Sequence, residues 1–154
     1  MANKATVINE IKMQFPAVSI NEGMARAVVS AFCAQLNPTI EEIADIKCAV
    51  SEAVTNSIVH GYREKVGDVY IRVRLYSDRN VKIEIRDKGC GISDIEQAMT
   101  PLFTTDHSGE RSGMGFTVME SFTDKLSVKS KKGEGTVVSF SKKLSDREYI
   151  RYGI

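Results

Sequence analysis

The sequence predicts an α/β protein of the α+β kind, a two-layer sandwich in which a mixed, largely antiparallel sheet carries its helices on one face. Two observations point there. Runs that alternate apolar and polar residues at period two recur at 6–15, 69–75, 81–87, 125–130 and 136–144, while helix-period segments lie between 21 and 61 and again near 115–122. The strands read apolar on one side only, so one face of the sheet must be covered by helices and the other left to water.

Taken in order, Val7, Ile11, Met13 and Phe15 alternate with Glu10, Lys12 and Gln14 in a first strand that Pro16 ends. Ser19 or Asn21 can cap a helix reaching Leu36, stopped by Asn37-Pro38. Thr39-Ile40-Glu41-Glu42 is a capping box that opens a second helix ending at Gly61. Val69, Ile71, Val73 and Leu75, then Val81, Ile83 and Ile85, form a hairpin about Ser77-Asp78-Arg79-Asn80. A short capped helix is predicted at Ser93–Met99, a polar segment at Thr104–Ser112 and a third long helix from about Gly115 to Phe122. The final hairpin turns at Lys132-Gly133-Glu134-Gly135.

Composition narrows the function classes. The 154 residues carry 21 basic and 20 acidic side chains, a net charge of +1, with no block of five like charges, so neither nucleic acid nor an anionic membrane surface is an expected partner. The longest apolar stretch, near Ala27–Ala34, is far short of a bilayer span and residues 1–10 hold no signal-peptide core, so a cytoplasmic single domain over 1–154 is expected. Cys33, Cys48 and Cys90 show no metal-ligand spacing and cannot all pair; the two in predicted helices are expected to be buried free thiols.

Chemistry enters at three places. On the second helix Ile43, Ile46, Val50, Ala53, Val54 and Ser57 share one face, and Glu52 and Asn56 lie one turn apart on the other. That side is either a solvated helix back or a pocket wall. From Cys48 to Tyr62, however, Glu52 is the sole carboxylate and no Lys or Arg occurs, whereas solvated backs are usually charged. A carboxylate and a carboxamide one turn apart can serve as proton acceptor and neutral oxygen ligand for a hard cation. Asp87-Lys88-Gly89-Cys90-Gly91-Ile92 follows the second strand of the hairpin, and Asp87 shares the parity of Val81, Ile83 and Ile85, so its carboxylate points inward and needs a donor. An Asp-initiated turn with glycines at positive φ is the structural alternative. Ser112-Gly113-Met114-Gly115-Phe116 places two glycines at a helix start, where free N–H groups suit phosphate oxygens.

In this order, Glu52-Ala-Val-Thr-Asn56, Asp87-Lys-Gly-Cys-Gly91 and Gly113-Met-Gly115 resemble the GHKL ATPase superfamily with its Bergerat ATP-binding fold. Val50–Gly61, Pro101-Leu-Phe-Thr-Thr105, Glu110–Phe116 and the Asn21-Glu22…Ala25-Arg26 helix start look, within it, like the anti-sigma F family of sporulating bacteria, across nearly all of residues 6–144. The resemblance implies a serine protein kinase that holds a sigma factor inactive and phosphorylates an anti-anti-sigma protein, using ATP, yielding ADP, and acting as a homodimer.

The resemblance also implies roles. Glu52 is the general base, Asn56 a Mg²⁺ ligand, and Asp87 the acceptor for the adenine amino group, with Gly89 and Gly91 beside the base. Gly113 and Gly115 shape the phosphate-side loop. Residues 101–112 form a lid, with Thr104, Thr105, Ser108 and Arg111 as phosphate contacts, Thr136 lines the nucleotide pocket, and Arg26 meets protein partners. His60 reads as a structural residue at the pocket edge. Two other readings are a histidine-kinase catalytic module and a nucleotide-binding partner module without kinase activity. The first needs an acceptor-histidine hairpin, yet only His60 and His107 occur, and in the second Glu52 and Asn56 would be expected to decay.

Overall fold

The computed structural model describes residues 4–63, 65–100 and 115–147. Five strands form one sheet in the order β1-β2-β3-β5-β4, with β1 Val7–Pro16, β2 Asp68–Tyr76, β3 Asn80–Asp87, β4 Lys125–Lys131 and β5 Gly135–Lys143. All four ladders are antiparallel, so the parallel pairing that a mixed sheet would contain is absent among the described residues. The reason is topological: the connection after β3 crosses over to the edge strand β4, and β5 turns back between them, antiparallel to both.

Period two becomes layer structure directly. Val69, Ile71, Val73 and Leu75 of β2 and Val81, Ile83 and Ile85 of β3 are at most 2% exposed, while the residues between them stay half-buried or exposed on the outer face. Against this apolar face pack α1 (Asn21–Cys33), α2 (Ile40–Asn56) and α4 (Gly115–Phe122), which contribute Ala25, Val29, Ile46, Val50, Ala53, Val54 and Met119 to one core. A five-residue helix, α3, covers Ile95–Met99, and Asp94 caps it by accepting from Gln97 N at 2.9 Å.

Helix ends follow local chemistry, with two differences from the sequence reading. Neither Ser19 nor Asn21 caps α1: the cap position is Ile20, and the Asn21 amide instead donates to the Pro16 carbonyl at 2.9 Å, tying the helix back to β1. The helix tightens into a 3₁₀ turn at Ala34–Leu36 and stops where Asn37 adopts a left-handed φ of 47°. The capping box of α2 is complete, with Thr39 Oγ1 accepting from Glu42 N at 3.0 Å and Glu42 Oε2 accepting from Thr39 N at 2.8 Å. The other Glu42 oxygen accepts from Ser145 N at 2.7 Å, beyond the end of β5. The segment read as the last turn of α2 is a π-turn, Ser57–Gly61.

All three cysteines are free thiols. Cys33 is buried and its thiol is pushed up to about 12 by burial, whereas Cys48 is exposed, contrary to expectation, because Ile46, Ala49, Val50 and Ala53 take the inward side of α2.

Replacing Thr39 with alanine removes one half of the capping box and should lower unfolding free energy by about 1 kcal/mol, as N-cap truncations typically do. Urea denaturation of the folded protein reads this, and an unchanged midpoint would show that α2 does not depend on its cap.

Candidate functional site

One wall of the site is the polar side of α2. Glu52 and Asn56 are half-buried, because α4 lies over them at its glycine. A Cβ at Gly115 would lie 3.1 Å from Glu52 Oε2 and 3.4 Å from both terminal atoms of the Asn56 amide. The missing side chain thus leaves the carboxylate, the carboxamide and a helical backbone converging on one small volume. This settles the choice between a solvated helix back and a covered one in favour of the latter.

The opposite end is built on β3. Asp87 is 4% exposed, on the inward parity that the sequence predicts. Burial pushes its carboxyl above the usual carboxylate range. Opposing this, the Gly89 N–H donates to Oδ1 at 3.0 Å, and the Ser57 hydroxyl and the Thr136 backbone also favour the ionised form. Gly61 packs so tightly that a Cβ there would lie 3.0 Å from the Asp87 carboxyl carbon.

The loop after Asp87 is held from both sides. Cys90 N donates to the Gly61 carbonyl at 2.8 Å, and a Cβ at Gly89 would lie 2.1 Å from that same oxygen, so only glycine lets the loop lie against the π-turn. The Tyr62 hydroxyl accepts from Lys88 N at 2.7 Å and donates to the Asp68 carbonyl at 2.8 Å. Gly91 has φ 73° and sits against Lys131. Thr136 pairs with Asp87 in the β3–β5 ladder, and its hydroxyl lies 2.7 Å from Ser130 Oγ, which in turn accepts from Ile92 N at 2.7 Å.

The structure therefore gathers Glu52, Asn56 and Gly115 at one end, and Asp87, Gly89 and Thr136 at the other, with the π-turn joining them. Thr104, Thr105, Ser108, Arg111 and Gly113, with the whole 101–112 segment, lie outside the described residues. Arg26 stands apart on the exposed side of α1, its side chain 46% exposed and 3.7 Å from Glu22. Glu22 accepts a hydrogen bond from Ser51, the neighbour of Glu52. His60 lies in the π-turn, where its carbonyl accepts from Cys90 Sγ at 3.1 Å.

Sequence reasoning missed Ser57, Gly61, Tyr62 and Ser130. The available signal was adjacency: Ser57 follows Asn56 directly and falls on the buried face, where a hydroxyl needs a polar partner.

The histidine kinase-like ATPase domain family matches residues 15–142. An anti-sigma F factor from Thermoanaerobacter sp. (strain X514) is 56% identical over 134 residues, 87% of this chain and 93% of the relative. One from Bacillus subtilis (strain 168) is 52% identical over 138 residues, 89% of this chain and 94% of the relative. Among solved structures, the RsbU and RsbW domains of a Mycobacterium tuberculosis protein align at a TM-score of 0.67 and 21% identity, over 90% of this chain and 33% of that one. The catalytic domain of the histidine kinase ThkA aligns at 0.52 and 16%, over 87% and 96%. Fold and sequence together define a histidine kinase-like ATPase domain of the GHKL kind. Within that class, the chain belongs to the anti-sigma F factor family.

Because the folded-state pKa of Asp87 is raised, its ionisation opposes folding: the penalty is absent below the ordinary carboxylate pKa, grows as pH rises from there towards the raised value, and is complete above it. Asp87→Asn keeps the shape and an acceptor for Gly89 N, so the ligand-free variant should melt no lower than the parent at pH 7, its relative stability falling as the pH is lowered. Differential scanning calorimetry at several pH values checks this. A parent more stable than the variant at neutral pH would mean that hydrogen bonds to the carboxylate outweigh its burial.

Proposed function

We propose that this protein is an ATP-dependent serine protein kinase that holds a sigma factor inactive and phosphorylates an anti-anti-sigma protein. The observation that carries the reading is the convergence of Glu52 and Asn56 on the space left by Gly115, with the buried Asp87 carboxylate across the π-turn. Kinship with proteins named anti-sigma F factor supports the sigma-binding half.

Each role follows from the chemistry available. Asp87 accepts a hydrogen bond from the adenine amino group, which supplies its buried carboxylate with a further donor. Glu52 takes the proton of the partner's seryl hydroxyl as its oxygen bonds to the γ-phosphorus and the bond to the β-phosphate oxygen breaks, leaving ADP and phosphoserine. Asn56 offers a neutral carbonyl oxygen of the type that binds Mg²⁺, and no cluster of three or more His, Cys, Asp or Glu suited to a metal occurs among the described residues. These donors fit a cation that draws its other ligands from phosphate and water. Mg²⁺, when bound, would neutralise charge on the phosphates. Thr136 lies beside Asp87 at the adenine end, and Gly89 and Gly91 hold the loop there. Gly113 and Gly115 shape the phosphate side under a lid at 101–112, with Thr104, Thr105, Ser108 and Arg111 as its contacts.

Arg26 is the partner-facing residue. It lies outside the pocket on an exposed helix face, with Glu22 3.7 Å from its guanidinium. The working unit is a homodimer in the cytoplasm, a single domain per chain. Among the described residues no helix is long and apolar enough to cross a membrane.

Glu52→Gln should cut phosphoryl transfer about 10²–10⁴-fold while ATP and sigma factor still bind, measured with labelled ATP, Mg²⁺ and an anti-anti-sigma protein. Undiminished transfer would place the base elsewhere. Asp87→Asn should weaken ATP binding more than about tenfold in calorimetry, the loss expected for a hydrogen bond to a charged acceptor. Arg26→Ala should lose protein partners and keep ATP affinity, whereas Asn56→Ala should lose Mg²⁺-dependent transfer. Equal loss of ATP and sigma binding in a folded Arg26→Ala protein would put the arginine in the pocket.

A further inference from the structure

β5 carries a lysine on its inward face. Val138, Phe140 and Lys142 share the parity that points at the helices, the first two inside the core and Lys142 at its rim, opposite the buried Val81 in the β3–β5 ladder. An ammonium at that place needs partners, and it has two. Its Nζ lies 2.9 Å from Asp45 Oδ2 on α2 and donates at 3.2 Å to the carbonyl of Phe122, the last residue of α4. The two side chains are only 15% and 28% exposed, so salt and water screen the pair little. Lys142 stands at the end of β5 away from Thr136, the residue that faces Asp87, and so lies remote from the adenine end of the site.

Its partners belong to the two helices whose contact forms the phosphate-side wall. α4 runs back along α2: its first residue, Gly115, meets Glu52 and Asn56, whereas its last shares the Lys142 ammonium with Asp45, about two turns earlier on α2. With eight residues α4 spans about 12 Å, so a fixed C-terminal end determines where its N-terminal end stands. Little slack exists there. A Cβ at Gly115 would come within 3.1 Å of Glu52 Oε2 and 3.4 Å of the Asn56 amide, so a slip of α4 by one residue rise, about 1.5 Å, would crowd the carboxylate or open a gap beside it. The neighbouring tie, Asp124 N donating to the Ser141 carbonyl at 2.9 Å, holds the chain after α4 to β5 and not to α2. Lys142 spans both helices, and a cation at the C-terminus of α4 also matches the negative end of its dipole.

We propose that Lys142 is a positioning residue for phosphoryl transfer: by tying the far ends of α2 and α4 together it sets the register in which Gly115 meets Glu52 and Asn56. With adenine at Asp87 and the phosphates at Gly115, the nucleotide placement on which this role rests, Lys142 acts on the phosphate end alone. The adenine end is held separately, because Asp87 belongs to β3 and its surroundings are Ser57, Gly89 and Thr136.

The test compares ATP with adenosine on the whole protein, by calorimetry for ATP and amide NMR shifts for adenosine, alongside transfer from labelled ATP to an anti-anti-sigma protein. Lys142→Met, which keeps an apolar stem and removes the ammonium, should weaken ATP binding about three- to tenfold and lower kcat for transfer about tenfold or more, with adenosine affinity within about twofold of the parent. Asp45→Asn, which loosens the α2 side alone, should act in the same direction to a smaller extent and carries the test if Lys142→Met does not fold. Lys142→Arg, which keeps a cation long enough for both partners, should restore ATP binding. Equal loss of adenosine and ATP would make Lys142 a general support of the fold, and unchanged ATP affinity and transfer in the folded variants would mean that core packing alone sets the register; either result overturns the proposal. Adenosine binding that Asp87→Asn leaves untouched would instead overturn the nucleotide placement itself.

Discussion

A carboxylate is costly to bury, and in this protein one occupies the last inward position of β3. Asp87 continues the row of Val81, Ile83 and Ile85, so the same alternation that builds the core delivers an ionisable group to its rim. Much of the surrounding structure answers that placement. Ser57 and Gly61 bring the end of α2 against it, Gly89 folds back to donate to it, and Thr136 pairs with it across the ladder. Move Asp87 by one residue and its carboxylate would face water on the outer side of the sheet.

This constraint also fixes the other end of the site. Glu52 and Asn56 lie within two turns of Ser57 on one rigid helix, so their positions relative to Asp87 are set by α2 and its π-turn. The capping box at Thr39 anchors the far end of that helix, and α4 closes over the polar side at Gly115. The proposed base and oxygen ligand on α2 and the proposed adenine acceptor on β3 thereby depend on one packed core, which is a firmer support for exact placement than loops would provide.

What the sequence disclosed, and what it hid, divides along physical lines. Strands were legible because each shows period two over several residues, and the α2 start because Thr39 and Glu42 form a self-contained local device. The inward aim of Asp87 followed from parity alone. Properties that arise from pairing were not legible: the wholly antiparallel sheet depends on β5 settling beside β3, and the pairing of Thr136 with Asp87 exists only through a register between strands far apart in the chain. Ser57 was readable as buried but not as a partner of Asp87, because the π-turn that presents it has no strong local signature. Cys48 and the α1 cap were misread where more than one side of a helix, or more than one polar neighbour, could satisfy the same pattern.

Glu42 holds together places that the chain keeps far apart. One of its oxygens closes the first turn of α2 and the other accepts from Ser145, 103 residues later. Its burial pushes the carboxyl up, but the hydrogen bonds from Thr39 and Ser145 outweigh this and hold it below the usual range, so it stabilises the fold above the ordinary carboxylate pKa and stops doing so as pH falls through its own lower value. Protonation would thus loosen the start of a helix and the far end of the sheet in one event. Fraying at the tail and fraying at α2 are coupled through a single titratable group, and acid should open these two regions together rather than in succession.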